Sequence, residues 1–197
     1  MATSRPNKNI SAFKSALIGG GARPNLFEVE LTTLPGDITW DGGENLRYMC
    51  KAASLPTSTI ANIDVPFRGR IFKVAGDRTF EPWTITIIND ENFKIRNAME
   101  EWMDIMSKLD NNLGATDPNA YMTNANVFQL GRGSTKSSKD SEGTDNAVLK
   151  QYKFIDIFPT SISAIDLSYD SSDAIEEFTV DFQVQTFELV AAGTPNA

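Results

Sequence analysis

Hydrophobic and polar positions alternate along most of this chain with a period of two, which predicts a protein built mainly from strands. Phe27, Val29 and Leu31 alternate with Glu28, Glu30 and Thr32. A second strand is predicted from Leu46 to Ala53, broken by Leu55-Pro56. Between Asp64 and Asp90 a hairpin is expected. Phe67, Ile71 and Val74 are mixed with Arg68, Arg70 and Lys73, Ala75-Gly76-Asp77 supplies turn chemistry, and Trp83, Ile85 and Ile87 alternate with Thr84, Thr86 and Ile88. Near the end, Tyr152, Phe154, Asp156 and Phe158 form one strand with two apolar faces, and Ile165, Leu167 and Tyr169 a second. Phe178, Val180, Phe182 and Val184 form a third, whose phase flips before Phe187 and Leu189; such a flip implies a bulge or a change of sheet.

The period changes to that of a helix in two places. After Asn89-Asp90, a natural N-cap, Ile95, Met99, Trp102, Met106 and Leu109 follow i, i+4, i+7 spacing, with Met103 widening the stripe. Such a stripe is expected to cover one open face of a sheet. Phe13, Ala16 and Leu17 predict a short helix ending at Gly19-Gly20-Gly21. It reads either as a packed terminal helix or as an arm docking on another subunit. About seven strands with one flanking helix point to a β-sandwich or small barrel in a single domain spanning 1–197. Within it, 1–21 form the N-terminal arm, 110–147 a flexible insertion loop and 190–197 a disordered tail. The second half of that insertion has no apolar side chain to offset its ordering entropy.

Composition removes several function classes. The chain has 197 residues, a formal charge of −8 and no histidine. A general nucleic-acid binder needs a basic face, and the commonest general base and metal ligand is missing. The single cysteine, Cys50, makes an intrachain disulfide impossible and reads as a small buried hydrophobe. Gly131-Arg132-Gly133-Ser134-Thr135-Lys136 lacks phosphate-loop spacing. The adjacent acids Glu100-Glu101 and Glu176-Glu177 point in different directions and read as solvated surface. Asp156, Asp166, Asp170 and Asp181 match neither a calcium loop nor a two-metal site. No catalytic constellation, cofactor or metal is therefore expected. The N-terminus has no apolar signal region and no window approaches a membrane span. Synthesis in a reducing cytoplasm is the expectation. Long strands also leave edges, which an acidic monomer must protect or else pair with another subunit.

The runs VAGDRTFEPWTITIINDE (74–91), ARPNLFEVEL (22–31), CKAASLP (50–56) and FPTSISAIDLSYDSSDAIEEFTV (158–180) are similar to the tail tube proteins of T-even-type contractile-tailed bacteriophages. The likeness is clearest at 22–31, 50–56, 68–109 and 150–189, and weakest over 1–20 and 110–147. It implies a structural virion protein, assembled in the host cytoplasm, whose homo-hexameric rings share a β-barrel and stack into a tube. It further implies a tape-measure protein filling the tube first, a sheath around it, a baseplate or hub and a tail terminator at its ends, and DNA passing without specific binding or membrane insertion. On this likeness the 64–90 hairpin and the strands of 151–187 are candidates for the shared barrel. Arg23, Asp77 and Arg78 are candidates for subunit contacts, or for local turn stabilisation. Asp181, Gln183 and Gln185 are candidates to face the lumen. Two other readings stay open: a monomeric barrel binding a small apolar ligand with the Trp102 helix as its lid, and the tube of a phage-like secretion or pyocin-type particle.

Overall fold

A computed structural model describes residues 9–17, 21–36, 38, 43–134, 146–170 and 172–190. The expectations for 1–8, for Gly19 and Gly20, for the Asp37 and Asp41-Gly42 turns, for 135–145 and for 191–197 fall outside them. In chain order the elements are α1 (Ile10–Ala16), β1 (Phe27–Leu31), α2 (Gly43–Met49), β2 (Cys50–Ala53), β3 (Ser58–Phe67), β4 (Arg70–Phe80), β5 (Trp83–Ile88), α3 (Lys94–Met106), a 3-10 turn at Pro118–Ala120, β6 (Thr123–Ser134), β7 (Asn146–Ile162) and β8 (Glu177–Val190).

Six strands form one antiparallel sheet in the order β1-β6-β7-β8-β5-β2, and β3 and β4 form a separate pair. The outer strands β1 and β2 approach each other, and α2 packs against both, so the sheet curls almost into a barrel. Arg47 of α2 bonds Glu30 of β1 at 3.0 Å across this closure. The core follows the predicted alternation. Val29 and Leu31, Ile85 and Ile87, and Phe178, Val180, Phe182 and Val184 are all buried. Trp83 stacks on Phe154 with ring centroids 4.5 Å apart and lies 5.4 Å from Phe182. Its indole N–H donates to the Ser54 carbonyl at 2.9 Å, satisfying the one polar group it buries.

Helix α3 buries Ile95, Ala98, Met99 and Trp102. It starts at Lys94, later than the sequence suggests, because Phe93 takes a left-handed conformation (φ 53°). Asp90 still serves the helix start: its carboxylate accepts from the Lys94 amide at 3.1 Å. Trp102 lies against Phe182 at 5.9 Å and donates to the Tyr121 carbonyl at 2.7 Å. It is therefore a core residue bonded in place, which removes the reading of its helix as a lid. The predicted stripe ends before Leu109, which lies beyond the helix and is 94% exposed.

Four further expectations need correction. Leu46 to Met49 is helical, because Leu46, Met49 and Cys50 meet the core at i, i+3, i+4 spacing while Tyr48 faces out. The stretch 110–147 is not one loop, since β6 pairs with both β1 and β7 and buries Ala125, Val127 and Leu130. Residues 163–170 form no strand, and Leu167 and Tyr169 are exposed. The phase flip in β8 reflects no change of sheet. It falls at Gln185, in the ladder gap between Ile155↔Thr186 and Ile157↔Val184 that holds Asp156. Asp156 has φ 54° and marks an irregularity in the β6–β7 ladder.

Candidate assembly interface

The largest correction concerns the hairpin. Ala75-Gly76-Asp77 is not a turn; it lies inside β4, and the chain reverses at Arg68-Gly69. Both of those residues have positive φ (47° and 78°), as a tight two-residue hairpin turn requires. Gly76 and Asp77 instead sit at a shift in the β3–β4 register, between Ile60↔Arg78 and Asn62↔Ala75. A Cβ on Gly76 would lie 3.1 Å from the Ala61 carbonyl oxygen, which explains a glycine at this bulge.

Pairing then sorts the mixed residues into two faces. Ile63 stands opposite Val74, Val65 opposite Phe72 and Phe67 opposite Arg70, so Ile63, Val65, Phe67, Phe72 and Val74 share one face. The other face holds Asn62, Asp64, Lys73, Pro66 and Ile71, with Asn62 donating to Asp64 at 2.8 Å. Among the described residues nothing covers the apolar face: exposure is 55% at Ile63, 43% at Val65, 66% at Phe67, 67% at Phe72 and 41% at Val74. A lone two-stranded ribbon is marginal in water, so such a face calls for a partner. The ribbon is also basic, with Arg68, Arg70, Lys73 and Arg78 against Asp64 and Asp77, in a chain of net charge −8.

A second unpaired feature lies on the main sheet. The β5–β8 ladder ends at Trp83↔Phe182, while β8 runs on to Val190 with β7 as its partner. Among the described residues, 183–190 thus pair along one side only. Gln183 and Gln185 belong to this free stretch. Gln183 and Asp181 point away from the buried Phe182 and Val184, and Gln185 is exposed at the phase flip. Asp181 is not without partners. Its carboxylate accepts from the hydroxyls of Thr84 on β5 and Ser161 on β7, at the irregularity between Pro159 and Ser161. These two bonds, Thr84 first, hold its pKa below the usual carboxylate value.

The three contact candidates are not brought together. Arg78 sits in the ribbon's base opposite Ile60, and Asp77 in the bulge. Arg23 lies before β1, where its carbonyl accepts from the Gln129 side chain at 2.8 Å and the Leu26 amide at 3.2 Å. Among the described residues none of the three forms an ion pair. Sequence reasoning missed the apolar face itself. Its only signal was the odd-numbered run Ile63, Val65, Phe67, legible once the turn is placed at Arg68-Gly69. Burial pushes the Cys50 thiol up to about 12, in keeping with an inert core residue.

The chain is 33% identical over 177 residues to the tail tube protein gp19 of Enterobacteria phage T4, covering 90% of this chain and 95% of that protein. In fold it resembles the tube-terminating cap of the anti-feeding prophage, with a TM-score of 0.57, 16% identity and coverage of 96% of this chain and 94% of that one. It also resembles a chain of the sheath-tube complex of an extracellular contractile injection system, with a TM-score of 0.51, 14% identity and coverage of 96% and 100%. The family model described as phage tail tube protein matches residues 22–189, and the chain belongs to that family.

Proposed function

We propose that copies of this chain join through the β3–β4 ribbon and the free β8 margin into rings that stack as the inner tube of a contractile phage tail. One observation carries the reading: an apolar ribbon face that none of the described residues covers. Strand margins left open in one copy are satisfied by the next, and ring closure removes them altogether. Six copies per ring, a surrounding sheath, a tape-measure protein, a baseplate or hub and a terminator are the matching partners. They are supported by family membership and by likeness to a chain from a sheath-tube complex. The role is structural and not catalytic. An acidic subunit suits a conduit that DNA must slide through, because like charge prevents sticking.

Electron microscopy and sedimentation of the purified full chain test this. Uniform hollow filaments or six-fold rings are expected as concentration rises. A protein that stays monomeric at every concentration overturns the proposal.

A further inference from the structure

The ribbon's attachment to the rest of the molecule is narrow. Its base is closed by the Glu81 amide donating to the Thr57 carbonyl at 3.2 Å. Beside that bond, the Phe80 ring meets Phe187 of β8 edge-on, with centroids 5.5 Å apart at 81°. Phe187 in turn lies 6.4 Å from Tyr152 of β7, and the Lys150 ammonium sits 5.0 Å over the Tyr152 ring. All three rings are half-buried; Phe187 packs against the edge of the core, and Tyr152 lies on β7 between β6 and β8. Phe187 also belongs to the stretch of β8 that lacks a second neighbour strand.

We propose that Phe80, Phe187 and Tyr152 form a fulcrum that fixes the angle of the ribbon relative to β8, and so act as positioning residues for assembly. The inference rests on the ribbon being the contact between copies. Leverage gives the cluster its weight. The ten residues of β3 span about 33 Å, so a tilt of about 10° at the base moves the tip by about 6 Å. That exceeds the roughly 4.8 Å between neighbouring strands, enough to lose register with a partner. An edge-to-face pair has a preferred geometry that aliphatic contacts lack, which suits it to holding an angle.

The test uses the full chain with spin labels at Arg70→Cys near the tip and Glu101→Cys on α3. Cys50 is buried and its thiol is held neutral, so it stays unlabelled. In the unassembled protein, F80A and F187A should each broaden the tip-to-helix distance distribution about twofold. In the unlabelled protein they should raise the critical concentration for assembly about tenfold. The double variant should match either single one, and F187Y should restore both readouts. F80A removes a ribbon side chain and leaves every residue of the main sheet in place, so a global fold defect in F187A does not spare the proposal. A narrow distribution in F80A, or effects that multiply in the double variant, overturns the fulcrum. An unaltered critical concentration beside a broadened distribution overturns its assembly role. Failure of the wild-type chain to assemble overturns the proposed function instead, and the distance measurement still decides the fulcrum.

Discussion

Replacing Phe72 by alanine separates assembly from folding. Phe72 is 67% exposed in the single chain and stands opposite Val65 on the apolar ribbon face. Most of its area is already in water, so losing it should change monomer stability by no more than about 0.5 kcal/mol. Taking about 200 Å² for a whole phenylalanine side chain, the exposed share is about 130 Å². At about 25 cal/mol per Å², covering it in an interface contributes about 3 kcal/mol, of which alanine retains about 1. The net loss of about 2 kcal/mol per contact corresponds to a rise of about 30-fold in critical concentration. Pelleting assays across a concentration series, with electron microscopy of the pellets, measure that rise. Thermal unfolding by circular dichroism supplies the control. F72A assembling at the wild-type concentration would refute the claim that this face is the contact. Equally damaging would be a fall in melting temperature as large as that of a core variant.

The remaining predictions concern the fold beneath the interface. Trp83→Ala removes a buried ring stacked on Phe154 and strands the Ser54 carbonyl; it should cost about 3–5 kcal/mol in denaturant unfolding of the monomer. The folded state holds the Asp181 pKa below its unfolded value near 3.9, so its contribution is present above that value. The contribution is lost as pH falls through the lower folded value, and Asp181→Asn should flatten this acid limb of a stability-against-pH curve. Cys50, buried and with its thiol pushed up to about 12, should resist alkylation at pH near 8 until denaturant is added. Gly69→Ala forces a side chain into φ 78° at the ribbon tip. It should raise the critical concentration with little change in the melting of the main sheet, which β3 and β4 do not join.

Features that depend only on neighbours along the chain are legible in the residue order. Period-two runs at 27–31, 83–88 and 178–184 placed their side chains on the faces where the core lies, because a strand's alternation is fixed by its own backbone. The Ile95-Met99-Trp102 stripe marked α3 for the same reason. What failed were signals shared by two structures. Glycine followed by aspartate serves a turn or a bulge equally well, and only the pairing of β3 with β4 decides that Gly76-Asp77 is the latter. Leu46, Met49 and Cys50 fit either period over so short a span, and closure of the barrel by α2 selected the helix. β6 reads as loop in the sequence because its Thr, Asn, Gln and Gly residues carry little strand preference; it is held by β1 and β7 on either side. The interface was the least legible part. Whether Ile63, Val65, Phe67, Phe72 and Val74 lie on one face depends on which residues stand opposite one another, and whether that face is covered depends on every other strand having packed elsewhere. Register and exposure belong to the folded chain as a whole, so no local run of residues could state them.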